Sequence, residues 1–455
     1  MKPKYLFIAW ILLLLSSCRQ QPEQDKVQFR ARIINARTDK VMVSRNFLFI
    51  DADTLYIQNE NETKGKVCAP EEGLYFIYIY PEFQTVYLKP GDSLALHINI
   101  EEFDESLSFS GSLGFENNLL MELYLMNEKE SDYFYQSDFR FKPDEFLQKI
   151  DSFAADTQQV LDNYRVELKN TTSRFKNIID LWQKSLEYDL REAYLLKHPE
   201  EKLPANYTDY HRVLQSSLPD PNIIYMYALI ENHIRRKNPR RGIPTGKWYR
   251  NTAGIIKEKV ADPSFKDNLM VKYCYRYIKE TKAPETDSVI SFYFKHIQNQ
   301  KYINFCQNKI RKNKRLQTGN KFPAMELTDK KGKKFISDSL FGDKKILLSF
   351  WELKRRKNFI SNLNKLKQIK EKFPGLEIVV LNTDSGSFEE WLLQLPKDTG
   401  FRFYQSTRES QNARVSPYHP AQVFLLENDT IKLSMENMYS PDFEDKLTRF
   451  SGIKK

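Results

Sequence analysis

The stretch SFWELKRRKNF at residues 349–359 places four consecutive cations where an apolar strand pattern ends and a helical pattern begins. Free backbone N–H groups at a helix start, the helix dipole and arginine guanidinium groups all favour a bound carboxylate, phosphate or sulfate. Cations at this end of a helix are mildly destabilising. The run therefore predicts an anion or acidic-peptide site, and the alternative is a solvated charge run on an exposed loop. Its basic residues are Lys354, Arg355, Arg356 and Lys357.

The N-terminal stretch MKPKYLFIAWILLLLSSC has the features of a secretion signal. Two lysines precede an apolar stretch that is short for a membrane span, and two serines lead directly to Cys18. This ending resembles the lipobox of bacterial lipoproteins, which implies cleavage before Cys18 and attachment of lipid, including palmitate, to it. A weak transmembrane anchor and an ordinary secretory signal are the alternatives. We expect a signal peptide at 1–17, a polar tether at 18–26 and a mature cell-envelope lipoprotein anchored to a bacterial membrane, on its periplasmic or surface face.

Residues for other kinds of catalysis are scarce. Besides Cys18 the chain has Cys68, Cys274 and Cys306, none in a CxxC pair, and six histidines without metal-ligand spacing. We interpret these thiols as buried or idle, with a disulfide between Cys274 and Cys306 as the alternative. There is no P-loop, GxSxG, HExxH or dinucleotide fingerprint, so we expect no metal and no cofactor. The net charge of +10 is not arranged as alternating aromatic and basic residues, which argues against nucleic acid.

Three patterns follow one another along the mature chain. Residues 27–107 alternate apolar and polar positions and predict a small antiparallel β-sandwich or barrel. Residues 108–316 contain long amphipathic stretches separated by turn-rich breaks and predict a helical domain. Residues 317–455 alternate strand-like and helix-like segments and then form a hairpin that turns at Asn428 and Asp429. The predicted fold class is therefore multidomain, with an all-β module, a helical middle and a C-terminal α/β domain.

The C-terminal α/β domain carries a family resemblance in three segments: FPAMELTDKKGKKFISDSLFGDKKILLSFW, LEIVVLNTD and SPYHPAQVFLLENDTI. They resemble the TlpA-like family of membrane-tethered, thioredoxin-like thiol-disulfide oxidoreductases. Phe350 and Trp351 match the aromatic pair that ends the family's first central strand, and Pro420 matches its cis-proline. The resemblance implies a thioredoxin-like fold, with His419 and Pro420 facing the loop that follows Trp351.

The same resemblance locates the family's two active-site cysteines on residues that are not cysteine. Alignment on the aromatic pair puts Arg355 at the attacking cysteine and Asn358 at the resolving one. A dithiol site needs a reactive thiolate and a second sulfur within reach, and neither residue supplies one. Dithiol redox catalysis is therefore disfavoured, and Asn358, His419 and Pro420 join the four cations as candidate binding residues.

The expected function is non-catalytic. We expect a binding or scaffold protein for envelope proteins or peptides, held at the membrane by the lipid on Cys18, with an acidic protein or peptide as a candidate partner. One alternative is an envelope thiol-disulfide oxidoreductase that uses a non-local cysteine or a partner's thiol. The other is a structural relic of the fold whose contacts are made by the helical region.

Overall fold

A computed structural model of the 455-residue chain divides into two compact units. The first comprises Met1–Cys274 and Ser288–Phe305, and the second comprises Tyr275–Asp287 and Cys306–Lys455. No helix among the described residues is long and apolar enough to cross a membrane. The structure describes residues 25–58, 61–240, 244–281, 283–338, 344–351, 356–383, 388–396, 400–406 and 421–452, and in 356–358 it describes the backbone alone.

The first unit begins with two four-stranded sheets, of order β4-β1-β7-β8 and β3-β2-β5-β6. Alternate residues of the first strand, from Val27 to Ile33, are buried, as the period-two pattern predicts. The strands are β1 Lys26–Ile34, β2 Lys40–Ser44, β3 Asp53–Tyr56, β4 Glu62–Cys68, β5 Gly73–Ile79, β6 Glu82–Leu88, β7 Ser93–Asn99 and β8 Ser108–Ser110.

One strand pair departs from the predicted antiparallel arrangement. Strand β1 pairs antiparallel with β4 but parallel with β7, with Phe29 opposite Leu94. The prediction of a wholly antiparallel module was wrong at this pair. The physical reason is that β1 and β7 are joined by a long crossover through five intervening strands, and a tight hairpin is what makes neighbours antiparallel.

Helices fill the chain between β8 and β9, and one short helix precedes β8. Several begin at a side-chain cap: Thr172 accepts a hydrogen bond from the backbone N–H of Phe175, and Thr245 accepts one from Trp248. The helices are α1 Phe103–Ser106, α2 Gly114–Gln136, α3 Pro143–Asn163, α4 Arg165–Lys169, α5 Ser173–Lys197, α6 Ile224–Lys237, α7 Gly246–Lys259, α8 Pro263–Thr281, α9 Ser288–His296 and α10 Gln300–Arg315, with a 3-10 helix at Asp209–Gln215.

The second unit is built on a seven-stranded sheet of order β10-β9-β13-β12-β11-β14-β15. Its central strands are buried on both faces, which is why they occur in the sequence as continuous apolar runs. Its elements are β9 Glu326–Thr328, β10 Lys334–Ile336, β11 Lys345–Trp351, α11 Arg356–Lys372, β12 Glu377–Asn382, α12 Phe388–Leu393, β13 Arg402–Ser406, β14 Gln422–Glu427, β15 Thr430–Asn437 and α13 Phe443–Ser451.

The strand order of the second unit is that of a thioredoxin-like domain. Strands β11 and β12 are parallel and are joined through helix α11, while β14 lies antiparallel on the other side of β11 and is followed by β15 and helix α13. Strand β13 adds a further parallel neighbour to β12. The prediction of a thioredoxin-like α/β domain in this part of the chain is confirmed, and the chain as a whole is mixed α/β.

The hairpin between β14 and β15 turns where the sequence predicted. Glu427 and Thr430 are paired, and Asn428 and Asp429 between them have φ values of 51° and 61°. Positive φ at both central residues is the geometry of a two-residue type I′ turn, which asparagine and aspartate tolerate better than most residues. This turn sets the register of the last two strands.

Candidate functional site

The joint between strand β11 and helix α11 is where the predicted binding loop lies. The strand ends at Trp351, and the helix begins at Arg356. Trp351 and Phe359 are both buried, and their rings stack with centroids 4.0 Å apart and planes inclined by 19°. Both belong to the core of the domain, together with Leu363 and Leu366 of helix α11. The described side of the joint is therefore an apolar stack continuous with the core.

The predicted binding residues fall almost wholly outside what the structure describes. Arg356, Lys357 and Asn358 form the first turn of helix α11, of which the backbone is described. The structure therefore places the start of the helix at the predicted cations and leaves the grouping of these side chains as a prediction. The predicted site residues that lie outside the described residues are Cys18, Lys354, Arg355, His419 and Pro420.

The cysteines of the described chain do not form a dithiol centre. Cys274 and Cys306 are fully buried, and Cys68 is half-buried. Cys306 forms no disulfide with any described residue, so the alternative of a disulfide to Cys274 was wrong. The interpretation of Cys306 as a buried thiol is supported by its position on the inner face of helix α10, where it packs as a small apolar side chain.

A buried carboxylate in the helical part of the first unit is a centre that the sequence analysis missed. Glu192 of helix α5 is fully buried, and five hydrogen-bonding atoms surround it. The Nε and Nη2 atoms of Arg236 both lie 2.7 Å from its Oε1, and Nδ1 of His233 lies 3.0 Å from the same oxygen. The hydroxyl of Tyr210 and Nε2 of His211 each lie 2.7 Å from Oε2.

This centre contains the ligand types of a metal site but has the geometry of an ion-pair network. The candidate ligand atoms of Glu192, His211 and His233 lie within 4.8 Å of one another, and two histidines with a carboxylate can hold zinc. Here, however, the guanidinium of Arg236 occupies the space in front of Oε1, so a metal would have to displace a bound cation. Burial opposes ionisation, but hydrogen bonds from the two histidines and Arg236 hold the pKa of Glu192 well below its usual range. Residues of the 3-10 helix and of helix α6 therefore both contact the buried carboxylate of Glu192 in helix α5.

The spacing of acidic residues in helix α5 was a sequence signal for this centre. Asp189 and Glu192 lie three residues apart on the face that also buries Leu186 and Ala193. Charged residues on the apolar face of an amphipathic helix need partners, because an unpaired buried charge is costly. The identity of those partners depends on how helix α6 and the 3-10 helix pack, which the sequence pattern does not show.

Comparisons with known proteins bear on the fold. No model of a protein family matches the chain, and no characterised sequence matches it either. Solved structures match parts of it. The thioredoxin domain of a thiol-disulfide oxidoreductase from Bacteroides vulgatus is 21% identical, with 30% of this chain and 99% of that one covered and a TM-score of 0.24. A thiol:disulfide interchange protein from Bacteroides sp. is 21% identical, with 31% and 93% covered and a TM-score of 0.25.

A third solved structure extends over more of the chain. A thioredoxin-like protein from Bacteroides caccae is 12% identical, with 59% of this chain and 94% of that one covered and a TM-score of 0.32. At these identities the likeness concerns the fold alone. The assignment of a thioredoxin-like domain to the second unit rests on the order and direction of its strands.

Proposed function

We propose that this protein is a cell-envelope lipoprotein whose thioredoxin-like domain binds partner proteins or peptides without thiol chemistry. The observation that carries the proposal is that residues 317–455, which include the whole thioredoxin-like sheet, contain no cysteine. Thiol-disulfide exchange proceeds through a thiolate that attacks a disulfide sulfur. A domain without sulfur at its strand-to-helix joint has no group to begin that reaction.

The other cysteines of the mature chain support the same conclusion. Reactive cysteines are partly exposed and lie in electropositive surroundings, whereas buried structural cysteines are inert. Cys274 and Cys306 are fully buried, so an exchange partner has no access to either sulfur in the folded protein. Cys68 is half-buried at the end of strand β4 in the other unit.

The proposed binding surface is the basic start of helix α11. Arg356 and Lys357 are its first two residues, and Lys354 and Arg355 precede them directly in the sequence. Four cations beside free helical N–H groups favour an acidic protein or peptide. His419, with Pro420, belongs to the proposed surface through the family resemblance.

The proposed location follows from the N-terminal sequence. A lipid on Cys18 would hold the mature protein at a bacterial membrane, and the polar residues after it would act as a tether. Cys18→Ser removes the attachment site. We expect the wild-type protein in the membrane fraction with lipid on its N-terminal peptide by mass spectrometry. An unmodified Cys18, or a membrane-bound Cys18→Ser variant, would contradict the anchor.

The redox part of the proposal is tested on the full-length protein. We expect no reduction of insulin disulfides above the uncatalysed rate with dithiothreitol. We also expect titration with a thiol reagent to show at most one reacting thiol, that of Cys68, before denaturation, because the sulfur of a lipidated Cys18 is blocked. Turnover of insulin that is lost in a Cys68→Ser variant would instead establish the alternative, an oxidoreductase with a non-local cysteine.

The binding part is tested by cross-linking and pull-down from the native envelope. The variant Arg355→Gln/Arg356→Gln should lose its partner, because two of the four cations are neutralised. A matched control is Lys331→Gln/Lys333→Gln, which neutralises two exposed lysines between strands β9 and β10 of the same domain. If both double variants retain every partner, the basic surface is not the binding site. The alternative of a structural relic of the fold, whose contacts are made by the helical region, is then favoured.

A further inference from the structure

The first unit contains an open cleft of about 620 Å³ that the proposed function does not use. Side chains from the strand region and from the helices line it, among them Arg45, Tyr75, Arg174, Asn268 and Tyr302. A volume of this size lies within the range of small-ligand sites. The cleft is formed by the first unit alone, so what it binds is independent of the function proposed for the thioredoxin-like domain.

One of its two arginines is held in a fixed orientation. Nη1 of Arg45 lies 2.9 Å from Oδ2 of the fully buried Asp220 and also donates to the carbonyl oxygen of Leu74. The guanidinium lies 5.0 Å from the centroid of the Tyr75 ring, a cation–π distance. The Arg45 side chain nevertheless remains 28% exposed. The positively charged guanidinium of Arg45 is thus held in a fixed orientation at the surface of the cleft.

The other arginine, Arg174, is held less tightly by neighbouring groups. The closest carboxylate oxygen to Arg174, Oδ2 of Asp220, is 3.8 Å from its Nη2, beyond hydrogen-bond distance. Its Nε atom is buried and has no hydrogen-bond partner among the described residues. A guanidinium carries five N–H donors in a planar fork, and the Arg174 side chain is 40% exposed. Arg174 therefore lines the cleft with the exposed part of its guanidinium, whose Nη2 lies beyond hydrogen-bond distance of the Asp220 carboxylate.

Two of the three acidic residues that line the cleft have their oxygens turned towards backbone N–H groups. Asp262 accepts from Phe265 at 2.8 Å and from Leu218 at 3.1 Å. Asp267 accepts from Gln298 at 2.9 Å and from Asn299 at 2.7 Å. These two carboxylates cap backbone segments, whereas the exposed carboxylate of Glu71 lies 4.0 Å from Nη2 of Arg45.

A buried network of amides and tyrosines supports the wall of the cleft. Nδ2 of Asn46 donates to Oδ1 of Asn268 at 3.1 Å, and the Tyr302 hydroxyl donates to the same oxygen at 2.7 Å. Nδ2 of Asn268 contacts Oδ1 of Asn222 at 3.3 Å and the Tyr227 hydroxyl at 2.9 Å. A satisfied buried network of this kind rigidifies its surroundings, and binding sites need such support.

We propose that this cleft is a binding site for a ligand with a free carboxylate, and that the guanidinium of Arg174 is its principal donor. The two coplanar oxygens of a carboxylate match the guanidinium fork. A single negative charge also suits the site better than a phosphate dianion, because Asp220 lies near both arginines and Glu71 lies near Arg45. A small organic acid and the C-terminus of a peptide both carry this group.

The test is calorimetric titration of the full-length protein with four probes: lactate, which carries one carboxylate, trialanine with a free C-terminus, trialanine amide and inorganic phosphate. The variant is Arg174→Gln. The matched control is Arg212→Gln, whose side chain is 83% exposed and pairs with Asp209 away from the cleft. Thermal unfolding checks that both variants fold. If Arg174→Gln does not, Arg174→Lys, which keeps the charge and removes the fork, replaces it.

We expect at least one free-carboxylate probe to bind wild type and Arg212→Gln equally, and to bind Arg174→Gln roughly tenfold or more weakly, the loss expected for a charge-assisted hydrogen bond. Binding of lactate alone identifies small organic acids as the source, and binding of trialanine alone identifies peptide termini. The proposal is overturned if no probe binds, if trialanine amide or phosphate binds as tightly as the carboxylates, or if Arg174→Gln binds unchanged.

Discussion

The rings of Trp351 and Phe359 stack across the joint between strand β11 and helix α11, with centroids 4.0 Å apart. The last residue of the strand and the fourth of the helix thereby close the core under the basic helix start. The stack therefore fixes the position of the helix start.

Removal of one ring of this stack is expected to destabilise the second unit. Phe359→Ala should lower the free energy of unfolding by about 3 kcal/mol, because it removes a buried aromatic side chain and leaves a cavity. Ile360→Ala is the matched control, since Ile360 is the next residue and is 50% exposed, and its effect should stay within about 0.5 kcal/mol. Chemical denaturation measures both. Equal changes in the free energy of unfolding at the two positions would show that the stack does not stabilise the joint between strand β11 and helix α11.

The buried carboxylate of Glu192 should make a pH-dependent contribution to stability. Glu192→Gln removes the counter-charge of the partly buried Arg236 cation, at a cost of up to about 3 kcal/mol at pH 7. Because the pKa of Glu192 is lowered in the folded state, its contribution is complete above its ordinary pKa of about 4.3 and is lost as the pH falls below that value. The difference between wild type and variant should shrink only below about pH 4.

Denaturant unfolding at several pH values between 7 and 3.5 measures this difference. The exposed Glu200, which follows helix α5, supplies the control variant Glu200→Gln, whose effect should be small at every pH. If the loss of stability in Glu192→Gln does not change with pH across this range, the negative charge of Glu192 contributes little to stability beyond the packing of its side chain.

Glu130 of helix α2 should have the opposite pH dependence. Burial, with a smaller effect of Asp156, raises the pKa of its carboxyl to about 7, and its Oε1 has no hydrogen-bond partner among the described residues. A raised pKa means that the folded state holds more protons between about pH 4.3 and 7, so stability falls as the pH rises through that window. Glu130→Gln should therefore stabilise the protein by about 1–3 kcal/mol at pH 8 and much less at pH 5.

Thermal unfolding at the two pH values checks the expectation for Glu130. Glu145→Gln, on the exposed side of helix α3, is the control and should change stability equally little at both. A Glu130→Gln variant that is less stable than wild type at pH 8 would show that Glu130 has a partner when ionised.

Two glycines should respond in opposite ways to alanine. Gly73 has φ of 150°, and a Cβ there would overlap the carboxylate of Asp220 and approach Nη1 of Arg45. Gly73→Ala should destabilise by more than about 1 kcal/mol and weaken the cleft wall. Gly254 lies inside helix α7 with no atom within 4 Å of its Cβ position, so Gly254→Ala should stabilise by roughly 0.5–1 kcal/mol. Denaturation curves with the same sign would refute the steric argument.

Local patterns were enough for much of the second unit. The apolar runs that become strands β11 and β12 are buried on both sheet faces, so their composition alone marks them as central strands. Asn428 and Asp429 tolerate the positive φ that a two-residue turn needs, so the last hairpin could be located to the residue. The parallel pairing of β1 with β7 could not be predicted from local patterns, because alternation shows which face of a strand is buried and not which strand is its neighbour.

The sequence by itself determined the kinds of element and the lack of cysteine in the C-terminal domain, because these depend on composition and on periods of a few residues, while its resemblance to a known family implied the thioredoxin-like fold. Only the tertiary structure decided which distant side chains meet. Glu192 and Arg236 are 44 residues apart, and Asn46 and Asn268 are 222 apart. Such contacts depend on how whole helices and strands pack, and no local period encodes them. Both the buried charge centre and the arginine-lined cleft are of this kind.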